Sequence, residues 1–550
     1  MKKLATVIGL MLVFVLLLSA CGTPDAGTPP APAPAAQPGA APAAPAQQAT
    51  LPAPTEGNGT IGNYHFTYWV GSAFGGASRQ RISGFEENYA WMEKERITGV
   101  TIEWIHPPAG QEADQFSLMM AALDLPDILQ QADRLRGGIQ TGISDGIFVR
   151  LNELIANHAP HYYALINSNP NVRREAFTDE GYLQGFGMLT SDNWGDDWTL
   201  TLENPWAGPW INYDFISELG IAVPTSIDEW TVALKAIRDN FDPEIVMAIP
   251  QLGLNVNEHG AFVSAFDIAP DWFVVDGTVK WGPAEPNFRY YIELMAYWYS
   301  EGLIDPEFPT RHGDDINAAQ LRGELGAHLH AGTGFALQAE PEGITFVGAP
   351  YPRRYPDSPP LRWSARNNWI RGEWTVITSV NQNPEAAAAW MDWNYSPEGI
   401  SILNFGPQGI SWNEMDDRGV PIYVERFAPP NWDPNNDVFR WHNGPYLKSD
   451  LRANPRRVMP HLEAAREVWE EQSEHAIWRL PPVTLTADEG AESAAIMADA
   501  IAFRDEMLIG FITGSIPLTE LDRYFATMES FNVRRAAEIR EAALARFMAR

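Results

Sequence analysis

Twenty-one tryptophans among 550 residues are the first side chains whose type suggests chemistry. An indole offers a broad apolar face with one N–H at its edge. A pyranose offers a flat patch of C–H bonds to lay against such a face, while its hydroxyls bond in plane. Position in the chain separates candidates from core. Trp69 ends an aromatic and β-branched run over 64–70, just before a glycine-rich turn at 71–78. Trp194, Trp198, Trp206 and Trp210 fall within seventeen residues; Trp363, Trp369 and Trp374 form a second group, and Trp412 follows a helix signal. Trp230, Trp298, Trp390 and Trp393 lie on amphipathic helical patterns and are expected in the core. The candidate stacking platforms are Trp69, Trp206, Trp210, Trp369, Trp374 and Trp412.

Polar partners come from the same chain regions. Asp127 closes a short apolar run, and Gln131, Asp133 and Arg134 open the loop after it. Asn257 and Glu258, between Asn255 and His259, follow the apolar stretch 245–254. Thr333 sits between Gly332 and Gly334, where a ligand can approach the backbone closely. Amides and carboxylates bridge adjacent hydroxyls with two bonds, so these residue types suit a polyol.

Four patterns suggest catalysis or metal binding, and each lacks part of the context it needs. Gly142-Ile143-Ser144-Asp145-Gly146 fits G-x-S-x-G, but a nucleophile elbow needs a buried strand before it and a helix after it; here a polar helical stretch precedes and IFVRL follows. Acidic pairs such as Asp196-Asp197, Asp314-Asp315 and Glu470-Glu471 arise readily among 70 carboxylates and make solvated faces. His328 and His330 share one strand face without a third ligand at a recognisable spacing. Residues 192–197 (DNWGDD) offer oxygens for calcium but place Trp194 where such a loop needs an oxygen. No cofactor is expected, with calcium at this loop as the weaker alternative. Neither a P-loop nor a dinucleotide fingerprint is present, so ATP chemistry must come from elsewhere.

The elements that position these groups read as α/β. Strands at 64–70, 100–105 and 126–129 alternate with helices at 85–98 and 111–123, which predicts βαβ units and a mainly parallel sheet. Ser226-Ile227-Asp228-Glu229 and Thr486-Ala487-Asp488-Glu489 are capping boxes. Asn383-Pro384 and Ser396-Pro397 each pair an N-cap with a proline at the first helical position, and the last fifty residues read as helix almost throughout.

Ahead of this body lies an address. Lys2 and Lys3 precede an apolar run over 7–18, too short to span a bilayer and suited to a secretory signal. Leu18-Ser19-Ala20-Cys21 resembles the bacterial lipobox, which implies cleavage before Cys21 and a lipid on its thiol. Residues 22–59 are dominated by Pro and Ala with Asp25 and Glu56 as the only charges, a composition that cannot pack a core and serves as an extended tether. The expected divisions are signal 1–20, lipidated cysteine and tether 21–60, and body 61–550. Cys21 is the single cysteine, so disulfides and cysteine zinc sites are excluded. A net charge of −32 argues against nucleic acid, which binds clustered cations.

Five segments, in order, carry a resemblance. Residues 121–128 (AALDLPDI), 208–229 (GPWINYDFISELGIAVPTSIDE), 298–308 (WYSEGLIDPEF), 390–409 (WMDWNYSPEGISILNFGPQG) and 511–525 (FITGSIPLTELDRYF) resemble motifs of bacterial extracellular solute-binding proteins of the sugar-binding, lipoprotein type. Phe405, Gln408 and Leu521 depart from that family's usual Tyr, Glu and Trp. The resemblance implies a type II periplasmic-binding-protein-like fold: two α/β lobes, joined by hinge segments, with a ligand cleft between them. It places the N-lobe at about 61–202 and 348–400, and the C-lobe at about 203–347 and 401–550. It also implies a monomeric binding lipoprotein, held by lipid on the outer face of the cell membrane. Such a protein is not an enzyme; it captures an oligosaccharide or related carbohydrate and delivers it to ABC permease subunits. The rival readings are a peptide-binding ABC lipoprotein and, further off, a secreted glycoside hydrolase.

Overall fold

A computed structural model describes residues 61–71, 82–108, 111–191, 199–202, 208–249, 260–311, 313–329, 339, 342–363, 368–416, 421–425, 444–449, 460–473 and 475–550. The chain divides into residues 1–45, outside the described set, and a body 46–550.

Within the body two hydrophobic cores form around two sheets. The first sheet has strand order β15-β4-β12-β3-β1-β2, with β5 on β4. Its strands are β1 (His65–Trp69), β2 (Thr101–Ile105), β3 (Ile128–Leu129), β4 (Phe186–Ser191), β5 (Leu200–Thr201), β12 (Ile370–Ile377) and β15 (Leu447–Ser449). β1 runs parallel to both β2 and β3, as the βαβ reading expects, whereas β12 enters antiparallel between β3 and β4. The second sheet is β11-β6-β10-β7, from β6 (Trp210–Asn212), β7 (Ile245–Ala248), β10 (Leu325–His328) and β11 (Phe346–Gly348). Two hairpins complete the strands: β8 (Trp272–Val275) with β9 (Thr278–Trp281), and β13 (Trp412–Met415) with β14 (Pro421–Tyr423).

Local chemistry sets the helix boundaries. The Asn88 side chain accepts from the Ala90 and Trp91 amides to open the helix Tyr89–Thr98, and Gly99 closes it at φ 71°, a conformation that costs glycine little. Both capping boxes form, Ser226 with Glu229 and Thr486 with Glu489. Gly142 to Ser144 lie inside the helix Gly138–Ser144, not on a strand-to-helix elbow.

The first core joins Phe66 through Leu200 to Ile370 through Leu403, Tyr446 and Leu447; the second joins Trp210 through Trp363 to Ala465 through Ala536. The chain therefore changes core three times, between 201 and 208, between 363 and 370, and between 449 and 460. These partitions differ from the expected 348–400 and 401–550. Residues 349–363 belong with the C-lobe through Ala349, Tyr351 and Trp363, and the N-lobe runs on to 449, because β15 pairs parallel with β4 at Leu447 and Leu189. A three-residue strand has no periodicity to announce it.

Next to two of these changes, helix Pro460–Ser473 presses on the backbone. A Cβ on Gly208 would lie 2.4 Å from the Trp469 ring, and one on Gly348 would lie 2.2 Å from Ala465 Cβ. Glycine alone permits that approach, and Trp469 Nε1 then donates to the Ala349 carbonyl at 2.8 Å.

Away from these changes the lobes are tied by charge. Asp179, in the turn before β4, accepts from Arg546 Nε at 2.6 Å and from Arg550 Nε at 3.0 Å. Arg546 also donates to Glu489 Oε1 at 2.9 Å, and Arg550 to the Arg174 carbonyl at 3.1 Å. Thr484 Oγ1 accepts the Asp179 amide at 3.3 Å. Arg546 and Arg550 come from the end of the long C-terminal helical region, so one N-lobe carboxylate holds it.

Candidate functional site

Open α/β sheets bind ligands beyond the carboxyl ends of their parallel strands. In the N-lobe those ends are Trp69 of β1 and Leu129 of β3. The ladder continues a residue further: the Gln130 amide donates to the Trp69 carbonyl at 3.1 Å. Gly71 then lies so near that a Cβ on it would be 2.8 Å from both the Gln130 carbonyl and Gln131 Cβ. Gln131 turns the chain at φ 60° into the short 3-10 turn Ala132–Arg134.

β12 overshoots the end of β3 and supplies the rest of this wall. Its register against β4 shifts between Arg371 and Thr375, and Glu373 in that bulge stands at φ 65°. A non-glycine residue held there costs on the order of 1–3 kcal/mol. Asp133 Oδ1 accepts the Trp374 amide at 3.1 Å and its carboxylate also receives the Glu373 amide. Gln131 bonds the Glu373 carboxyl. Glu175 Oε2 accepts the Ile370 amide at 2.9 Å and anchors the start of the strand.

The protein surroundings act on the carboxyls along this wall. Asp133 is open to solvent, yet the protein around it pushes its carboxyl upward, against the pull of its amide donors and Arg134. Burial raises Glu373 to about 7, with the neighbouring Asp133 adding to the rise and Arg371, Gln131 and Arg134 opposing it. Burial likewise raises Glu175 to about 7, opposed by the Ile370 amide. Glu175 is buried at the start of the strand, whereas Glu373, half-buried and raised toward neutrality, is the kind of group that functional sites show.

The structure brings together Trp69, Gln131, Asp133, Arg134 and Trp374, with Trp369 half-buried just before β12. Trp69 and Trp374 are each 6% exposed, so they offer edges, not open faces. Trp69 Nε1 is enclosed with no hydrogen-bond partner among the described residues, and the Trp374 ring lies on Gly187, 2.9 Å from where a Cβ would stand. Gln131 is buried as well.

Three expectations are corrected. Trp210 is fully buried on β6, stacked on His328 at 6.3 Å and edge-on to Trp469 at 5.3 Å; it is core, because the strand begins at Trp210 itself. Trp412 is buried in the β13 hairpin with Nε1 donating to the Gly406 carbonyl at 3.0 Å. Asp127 precedes β3 instead of closing it, and its Oδ2 accepts from the Thr67 amide and hydroxyl, both at 2.9 Å. That carboxylate ties β1 to β3. Cys21, Trp206, Asn257, Glu258, Thr333 and the 192–197 loop lie outside the described residues. Among the described residues no group of three or more His, Cys, Asp or Glu is placed to hold a metal ion.

Glu373 is the residue that sequence reasoning passed over. Its signal was present: Arg371 and Glu373 interrupt an otherwise strand-forming run between Trp369 and Trp374.

No family model matches the chain. It is 25% identical over 334 residues to the fructooligosaccharide ABC transporter substrate-binding protein FusA of Streptococcus pneumoniae, covering 58% of this chain and 59% of that one. It is 22% identical over 254 residues to lipoprotein LipO of Bacillus subtilis, 44% of this chain and 46% of that one. The matches thus span about half the length of these relatives. Among solved structures, the alginate-binding protein AlgQ2 superposes with TM-score 0.71 at 22% identity, covering 88% of this chain and 99% of that one. FusA in complex with kestose gives 0.70 at 19%, with the same coverage. The body has the periplasmic-binding-protein-like fold, and over 334 residues the chain is similar to one ABC transporter substrate-binding protein for fructooligosaccharides.

Proposed function

We propose that the protein is the extracytoplasmic binding component of an ABC importer, capturing an oligosaccharide between its lobes and handing it to membrane permease subunits without altering it. The observation that carries this reading is the similarity to FusA over 334 residues, joined to a two-core body whose N-lobe wall sets tryptophans beside carboxyl and amide groups. The wall suits hydroxyl-rich ligands, and the reading assigns it no cofactor. A monomer suffices, since both lobes come from one chain.

Isothermal calorimetry with kestose, nystose, an alginate trisaccharide and a set of short peptides tests it. Saturable binding of at least one sugar and none of the peptides is expected. Binding of peptides alone moves the protein to the rival class. Steady release of reducing ends, abolished by one carboxylate substitution, makes it a hydrolase.

The anchor belongs to the same proposal. No helix among the described residues is long and apolar enough to cross a membrane, and attachment is assigned to lipid on Cys21, motivated by the LSAC sequence after the apolar run. Cys21→Ser is expected to leave the protein unprocessed or free in the medium. Metabolic labelling with a palmitate analogue checks this; an unchanged labelled, membrane-bound product rejects the lipobox.

A further inference from the structure

Seven non-glycine residues among those described have positive φ: Leu123, Gln131, Asp242, Asp267, Asp276, Glu373 and Asn532. Leu123, Asp242, Asp267 and Asn532 are helix caps, and Asp276 turns the β8–β9 hairpin beside Gly277. Glu373 alone lies inside a strand, and the last of the seven, Gln131, is its hydrogen-bond partner. Backbone strain of this kind persists only where the surroundings impose it, and it gathers at ligand-contacting positions.

What imposes it is Asp133. Its carboxylate receives the Trp374 amide at 3.1 Å and the Glu373 amide, which bends β12 back toward the 3-10 turn. Opposite stands Gly372, where a Cβ would lie 3.9 Å from Asp133 Oδ2. The charged groups acting on Glu373 are Arg371 on its own strand and Asp133 and Arg134 on the facing turn, with the neutral Gln131 bonded to it. One like charge and a crowded wall oppose ionisation; two arginines and one amide favour it.

We propose that Glu373 is the carboxyl by which the N-lobe wall discriminates among oligosaccharides, that Asp133 is the positioning residue that holds it in place, and that Glu373 meets the ligand as a hydrogen-bond donor. This rests on the oligosaccharide-binding reading above and adds a residue and a protonation state to it. Burial, which raises its pKa to about 7, keeps the proton on Glu373 below neutral pH. A protonated carboxyl can donate to a ring or glycosidic oxygen, whereas a carboxylate can only accept, so ionisation leaves that ligand oxygen facing a second acceptor.

The experiment measures affinity from pH 6 to 8.5 for whichever of kestose, nystose and alginate trisaccharide binds most tightly. Wild-type affinity is expected to fall by about ten-fold across that range, the scale of one lost hydrogen bond to an enclosed group. Glu373→Gln, whose amide donates at every pH, is expected to bind as wild type does at pH 6 and to stay flat. Glu373→Ala is expected to bind about ten-fold more weakly at pH 6. Asp133→Ala is expected to match that loss, and the double variant to be no weaker than the worse single one, since Asp133 acts through Glu373. Thermal melts confirm that each variant is folded. A pH profile shared by wild type and Glu373→Gln overturns the donor role, and additive losses in the double variant overturn the positioning role. If wild type binds none of the sugars, the functional reading falls and takes this inference with it.

Discussion

Trp210→Ala loses about 3–5 kcal/mol of stability, the cost of truncating a buried large aromatic, and leaves ligand affinity unchanged in the fraction that remains folded. The ring is fully enclosed between His328 and Trp469, and Trp469 in turn packs on Gly208 and Gly348. An alanine there leaves a cavity that cannot collapse without moving the second sheet. Trp369→Ala should do the reverse. That ring is half-buried beside the wall, so its loss costs little stability and weakens sugar binding by about ten-fold, if stacking is worth about 1.4 kcal/mol. Denaturant melts and calorimetry on the two variants separate core from contact at one residue type. A Trp210 variant that melts normally and binds poorly would return that residue to the cleft.

Asp179→Ala carries the second large effect. Its side chain is 8% exposed and Arg550 is 11% exposed; Arg546, one-third exposed, keeps Glu489, so removing the carboxylate leaves the enclosed Arg550 guanidinium without its ionic partner. Breaking an enclosed ionic group by deleting one partner costs about 3–5 kcal/mol. Asp179→Asn keeps one oxygen acceptor where the carboxylate offers two, one to each arginine, and sets an N–H donor against the other guanidinium, so it should fall between wild type and Asp179→Ala. Because the network joins the N-lobe to helix Val533–Ala549, the alanine variant is also expected to expose Arg550 and Phe547 to early amide exchange. Hydrogen exchange by mass spectrometry reads that directly. Protection equal to wild type at the C-terminal helix would mean that the arginines are held by Glu489 and the backbone carbonyls alone.

Regular elements were legible because their signals are local. The Ser226 and Thr486 capping boxes, the Ser396-Pro397 start and the Gly99 stop all form as their residues dictate; Pro384 opens its helix where expected, with Asn383 at the N-cap position but no side-chain cap bond. The wall was legible in part for the same reason: Gln131, Asp133 and Arg134 follow a parallel strand, and the strand's end determines where they go. β12 was not legible as a partner of β3, since nothing in IRGEWTVI tells which distant strand it joins. That pairing is what brings Glu373 to Asp133, 240 residues away. Trp210 and Trp412 misled because tryptophan in a loop-like context looks identical to tryptophan at the first residue of a short strand. Only the register distinguishes them.

The placement of β12 has a consequence for biosynthesis. A chain is made amino end first, and by residue 201 it has released β1 to β5, yet β3 and β4 are joined in the sheet only when residues 370–377 are delivered between them. β15 arrives later still, at 447–449. The first lobe must therefore wait, with two unjoined strand edges and an open apolar face, while most of the second lobe is made. Sequence separations this long slow folding and prolong the exposure of aggregation-prone edges. Cutting the chain at the first change of core is expected to yield no folded half, and a folding helper would act while the span between residues 201 and 370 is made.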